Sequence, residues 1–159
     1  MRQNQSNVVE LSRDRERNRA TTERVLRALP QWFGLEDPIR AYVADSTTFP
    51  TFIASSGGED VGFLTLKPHA ATATEITAMG VRPELHRHGH GRALVAAAEA
   101  LGREEHRLVI HVKTLGPSHR SPSYARTRSF YEALGFIPIE ETTAFWGDAN
   151  PCLLMVKSL

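Results

Sequence analysis

The sequence has a single cysteine, Cys152, so no internal disulfide can form and a small domain stapled by disulfides is excluded. No apolar run approaches the ~20 residues that a helical membrane span needs. The start, MRQNQSNVVELSRDRERN, carries no apolar signal core and no small-residue cleavage pattern. Neither sign of charge dominates: 19 basic and 18 acidic side chains leave a formal net charge of +1. That balance offers no bulk attraction to nucleic acid, an anionic membrane or an acidic substrate. Repeats, low-complexity tracts and a linker long enough to separate domains are also missing. These absences point to a soluble cytoplasmic protein with neither nucleic acid nor a membrane as partner.

What is present is an ordinary globular composition, 41% hydrophobic and 23% charged over 159 residues. Such a chain can bury a core as one domain spanning residues 1–159, with 1–12 a partly flexible start. Val8–Leu11 reads as a short strand. Residues 13–29, rich in Arg and Glu, read as a helix ending at Leu29-Pro30, and their interleaved acids suggest a solvated face rather than a nucleic-acid surface. A second helix is expected from about Glu36 to Ala44, with Pro38 in its first turn. Residues 51–55 and 61–66 are strand-like around the turn SSGGED, and residues 75–81 and 108–114 are further strands. Between the last two lies a helix over Gly91–Leu101, with Gly102 as its stop. A strand, a helix and a strand in that order put the two strands parallel. A helix over Ser123–Leu134 closes at Gly135, and strands at 136–140 and 152–156 flank a turn at Trp146-Gly147-Asp148. The fold class is α/β, a mixed sheet with helices on both faces.

The stretch Val81–Leu94, VRPELHRHGHGRAL, carries the first chemistry. A strand ends at Val81, Pro83 prevents its simple continuation, and Gly89 and Gly91 open a helix. Glycines let the backbone come close to a ligand. The free N–H groups of the first helical turn, with the positive end of the helix dipole, then face an anion. Arg87 and Arg92 add positive charge around the same turn.

A strand with Val-x-Pro, a Gly-x-Gly turn and a helix starting Arg-Ala-Leu resembles the acetyl-CoA signature of the GNAT superfamily of N-acetyltransferases. That signature usually reads Arg/Gln-x-x-Gly-x-Gly/Ala; here it is His86-Arg87-His88-Gly89-His90-Gly91. About forty residues on, Phe130-Tyr131-Glu132-Ala133-Leu134-Gly135-Phe136 resembles the family's FYxxLGF segment. The resemblance covers residues 50–157 and implies a GNAT-like acyl-CoA N-acyltransferase fold, with acetyl-CoA as co-substrate and a small-molecule or peptide amine as acceptor. A homodimer is in keeping with the family. The resemblance places the pyrophosphate on Arg87, His88, Gly89, His90, Gly91 and Arg92, chiefly through backbone amides, and makes the three histidines bystanders as side chains. A Rossmann fold fits less well, since its glycine turn follows an early strand.

The implied reaction is direct attack of an amine on the thioester. An amine with a pKa near ~10.4 must lose a proton before it attacks, and a carboxylate can take it directly or through a water. The family's base position, Glu-Ile on the strand before the turn, falls on Glu75-Ile76. The proton or hydrogen bond for the departing thiolate falls to Tyr131. A backbone N–H near Met79, Gly80 and Val81 would meet the oxygen that gains charge, with Gly80 suggesting a bulge. Where many relatives carry an Asn that contacts the pantetheine arm, this chain has Tyr124. Trp32 and Phe33 are candidates for an aromatic wall at the acceptor pocket, as is Trp146, and the loop Gly116–Ser123 for its mouth. No metal is expected: Cys152 has no partner, and histidines flanking a phosphate turn read as facing solvent or the phosphate. The competing reading is a non-catalytic module that senses acyl-CoA or binds a partner.

Overall fold

A computed structural model describes residues 7–159; residues 1–6 of the expected flexible start lie outside them. Seven strands form a mixed sheet in the order β1-β2-β3-β4-β5-β7-β6. They are β1 (Val8–Ser12), β2 (Thr51–Ser56), β3 (Glu59–Pro68), β4 (Ala73–Val81), β5 (Val109–Leu115), β6 (Ile137–Thr142) and β7 (Cys152–Ser158). Four helices accompany them: α1 (Arg15–Arg27), α2 (Glu36–Thr48), α3 (His90–Glu104) and α4 (Pro122–Ala133). β4 and β5 are parallel, as the strand–helix–strand order requires, whereas β7 is antiparallel to both β5 and β6. The chain gathers into two compact units. One holds the segment up to Lys67 with Thr77–Leu101, the other Pro68–Ile76 with Gly102–Leu159.

In the first unit, Asp14 caps α1 by accepting a hydrogen bond from the Arg17 N–H. The apolar positions of that helix, Val25 and Leu26, join Leu29, Ile39, Ile53, Phe63 and Ala78 in one buried cluster. Each of its large side chains contributes about 1.5–3 kcal/mol on burial. Arginines of α1 pair with carboxylates: Arg17 grips Asp60 through two nitrogens at 2.8 Å, Arg19 meets Glu16, and Arg27 reaches Glu23 and Glu36. β2 and β3 form a two-residue hairpin in which Gly57 and Gly58 both take positive φ, the conformation that a tight turn with right-twisted strands demands.

Two boundaries differ from the sequence expectation by more than two residues, each for a local reason. α2 runs one turn past Ala44 to Thr48, where Thr47 and Thr48 hydroxyls fold back onto the Ala44 carbonyl, and stops ahead of Phe49-Pro50. α3 does not stop at Gly102 but passes through it to Glu104. His106, at φ +59°, takes the left-handed position instead. The Arg107 N–H then bonds the Gly102 carbonyl and the His106 N–H that of Arg103, the Schellman pattern. A Cβ on Gly102 would lie 2.6 Å from Leu159 Cδ1, so that side chain would have to turn aside.

In the second unit, Ile110, Val112, Cys152 and Met155 of β5 and β7 are buried, together with Phe136. Residues 143–150 connect β6 to β7 by turns, with Gly147 at φ +80°.

Candidate active site

The glycine turn lies in the first unit. After β4 the chain makes a single 3-10 turn at Pro83–Leu85 and enters α3 at His90. The first helical bond at this end runs from the Ala93 N–H to the Gly89 carbonyl at 3.0 Å. The amides of His90, Gly91 and Arg92 therefore precede the helical ladder and are the ones a helix start leaves for an outside acceptor. Gly89 has φ +85°, and a Cβ built on it meets nothing within 4 Å. The residue is glycine for its backbone conformation, not for crowding. Arg87 is also left-handed, at φ 64°.

The histidine side chains of the turn make contacts within the protein. The His86 Nε2 donates to the Val81 carbonyl at 2.7 Å, and its ring meets Trp32 edge-on at 6.0 Å, tying the turn back to the end of β4. The His88 Nδ1 lies 2.9 Å from the His86 carbonyl. His90 is buried, and burial, with the neighbouring His88, pushes its pKa down and favours the neutral ring. Arg87 and Arg92 are both exposed. A Cβ on Gly80 would come 2.9 Å from Val25 Cγ1 and 3.0 Å from Leu29 Cδ1, so a side chain there would have to displace these two core residues. Met79 is half-buried and Val81 buried at the end of β4.

The second unit assembles a cluster of side chains. Glu75 on β4 stands opposite His111 on β5 in the parallel register, and Lys113, two residues along, shares that face. His69 follows the end of β3. Its N–H bonds the Ala73 carbonyl, and its ring turns back so that Nε2 lies 2.7 Å from Glu75 Oε2. The Lys113 ammonium sits 3.3 Å from that oxygen and 3.5 Å from the other, with the Phe145 ring 4.5 Å away. The Glu75 carboxylate is thus buried between a cation and an imidazole. His111 packs 5.3 Å from the His69 ring. Its Nδ1 is buried without a hydrogen-bond partner, and burial lowers its pKa.

One ligand atom each from His69, Glu75 and His111 falls within 4.8 Å of the others, a set that could hold a metal ion. Lys113 already neutralises this carboxylate, so a divalent ion would have to displace an ammonium. The sequence pointed to Glu75 alone here. The signal for its neighbours was the alternation of His111 and Lys113 in β5, readable only once the β4–β5 register is known.

Tyr131 is buried on α4, its ring edge-on to Phe130 and Phe136 at 5.2 and 5.3 Å. Burial pushes its hydroxyl well above the ordinary phenol range, so it stays protonated at neutral pH. Tyr124, the residue at the expected Asn position, is half-buried in the first turn of α4, its N–H bonded to the Ser121 cap.

A profile of the acetyltransferase (GNAT) domain matches residues 47–138, more than half of the chain. The chain belongs to the GNAT family. It is accordingly an acetyltransferase with acetyl-CoA as donor. No curated protein sequence matches it. Among solved structures, it is similar to a Desulfovibrio desulfuricans protein described as a GNAT-family acetyltransferase, at 19% identity over 96% of this chain and 99% of that one, with a TM-score of 0.80. The ribosomal-protein-S18-alanine N-acetyltransferase from Escherichia coli follows at 13% identity, 96% and 94% coverage and a TM-score of 0.75. A GNAT family acetyltransferase from Elizabethkingia anophelis with acetyl-CoA bound matches at 17% identity, 82% and 88% coverage and a TM-score of 0.64. At these identities the likeness is one of fold. No helix among the described residues is long and apolar enough to cross a membrane.

Three further regions of this GNAT chain complete the description. Trp32 and Phe33 are half-buried against the core cluster of the first unit, Phe33 edge-on to Tyr42, so both have a packing role. In the second unit, the loop after β5 and the β6–β7 connection enclose an open hollow of about 700 Å³ lined by Ser118, His119, Glu141, Thr142, Asp148 and Pro151. Cys152 is buried, and its thiol is pushed up to about 11, which keeps it an inert thiol at neutral pH.

Proposed function

We propose that this GNAT acetyltransferase moves the acetyl group of acetyl-CoA to a primary amine by direct attack of the amine nitrogen on the thioester carbon. The observation that carries this reading is the buried Glu75 carboxylate, paired with an ammonium and in contact with an imidazole, on the strand that leads into the glycine turn. Glu75 takes the proton that the amine must lose. The amides of His90, Gly91 and Arg92, with the backbone of His88 and Gly89 and the charge of Arg87, bind the pyrophosphate. A backbone N–H of the Met79–Val81 segment stabilises the thioester oxygen as it gains charge. Tyr131, kept protonated by burial, supplies the hydrogen bond or proton for the departing thiolate.

Trp32 and Phe33 form part of the acceptor pocket, and the acceptor is a small molecule or a peptide. The protein works as a homodimer through β6, an edge strand on which Ile137 and Ile139 are 63% and 59% exposed. A pair of such residues on an edge invites a second copy of the chain.

The test measures CoA release from acetyl-CoA with a panel of primary amines: an amino acid, a polyamine and a short peptide with a free amino terminus. Acetyl-CoA at a hundredfold excess over its Kd should raise the melting temperature by about 5–10 °C. At least one amine should then release CoA, and Tyr131→Phe should slow that release about tenfold with acetyl-CoA binding unchanged. A thermal shift with no CoA release for any amine would favour a module that binds acyl-CoA without transferring it.

A further inference from the structure

We propose that His69 acts as a proton relay, carrying to solvent the proton that Glu75 takes from the acceptor amine, an inference that rests on Glu75 being the base. The reason is that a buried base must discharge before it can serve again. The Glu75 side chain is only 10% exposed, whereas that of His69 is 38% exposed. Among the described residues, the side-chain hydrogen bonds to Glu75 come from two sources of opposite capability. Lys113 as an ammonium has no lone pair and can hold the carboxylate charged but cannot accept a proton from it. The His69 Nε2, at 2.7 Å from Oε2, can.

The step balances without any further reactant. The amine N–H bond breaks and an O–H bond forms on Glu75. That proton passes to the His69 Nε2 in the tautomer with Nδ1 protonated, and the resulting imidazolium loses a ring proton to water or buffer. The backbone bond from the His69 N–H to the Ala73 carbonyl and the His111 ring beside it fix the imidazole in place. The neighbouring His111 is held neutral by burial, so it does not repel the imidazolium while the proton is in transit. Lys113 is the one permanent cation hydrogen-bonded to Glu75 in this cluster, and it drives the proton off the carboxylate. His69 touches Glu75 and not the substrate, so it works through the base.

The experiment follows CoA release with the fastest amine of the panel above, for wild type, His69→Ala, His69→Gln and Glu75→Gln, with and without added imidazole. The relay predicts that His69→Ala lowers kcat about tenfold, that the rate then depends on buffer concentration, and that imidazole restores it. His69→Gln, which keeps a hydrogen-bond donor but carries no mobile proton, should stay slow. Unchanged melting temperatures and acetyl-CoA binding show that the variants fold. Wild-type kcat in His69→Gln, or a slow His69→Ala that imidazole does not rescue, would overturn the relay and leave Glu75 as base if Glu75→Gln is itself slow. A fully active Glu75→Gln, or no CoA release with any amine, would overturn the base assignment and the relay with it.

Discussion

The glycine turn and the Glu75 cluster are built in opposite ways. The turn offers backbone: three amides ahead of the first helical bond, a glycine at φ +85° and two solvent-accessible arginines. Its side chains mostly hold it in shape, as His86 does by reaching back to Val81. The cluster offers side chains, gathered from a loop and two strands, and the backbone only spaces them. A site made of backbone should tolerate changes of side chain and suffer from changes of conformation. A site made of side chains should do the reverse.

The largest effect is expected at the cluster. Glu75→Gln keeps the shape and removes the proposed base, so kcat/KM should fall by about a hundredfold or more. The loss should be greatest at low pH, where the free amine is scarcest, and should shrink as the pH approaches the ordinary amine range of ~10.4. A pH–rate profile superimposable on that of wild type would take Glu75 out of the reaction, and with it the idea that the cluster acts through side chains.

The turn should respond to conformation by a smaller amount. Gly89→Ala meets no atom within 4 Å, so its whole cost is the left-handed backbone, about 1–2 kcal/mol for a residue with a Cβ. If that cost falls on the bound form, KM for acetyl-CoA rises about tenfold with kcat nearly intact, the mark of lost uniform binding. His88→Ala should change KM by less than about twofold, because the exposed ring only braces the His86 carbonyl. If steady-state kinetics show His88→Ala hurting more than Gly89→Ala, the turn binds through side chains and the contrast fails.

The same contrast explains what the sequence could reveal. A backbone site is written in consecutive letters. Gly89 and Gly91 after a Val-x-Pro strand end announce the turn, and FYEALGF announces α4, with no knowledge of the packing. Glu75 became a candidate because its Glu-Ile pair stands where the family resemblance puts the base. His69, His111 and Lys113 were not, since only the hairpin at Ala73 and the β4–β5 register bring them to Glu75. The error at Gly102 has a related cause: sequence reasoning treats a glycine after a helical face as a stop, whereas α3 runs through it and the left-handed residue that ends the helix is His106.

The smallest effect concerns two histidines, one in each region, that burial keeps neutral. For both, the folded pKa lies below the unfolded value of ~6.5, so below that pH the unfolded chain binds a proton that the folded chain does not. Each therefore adds stability that is present above pH ~6.5 and declines as the pH falls beneath it. His90→Asn and His111→Asn should each make the fall in melting temperature between about pH 7 and pH 5 shallower, by roughly 1–2 °C. The two shares can then be told apart by what changes them. A bound pyrophosphate favours a charged ring, so saturating acetyl-CoA should flatten the His90 share. At His111 the Glu75 carboxylate partly offsets burial, so Glu75→Gln should steepen the His111 share. Melting curves in which acetyl-CoA leaves the His90 share untouched would mean that the anion is not held at the glycine turn, and the backbone half of the comparison would have to be given up.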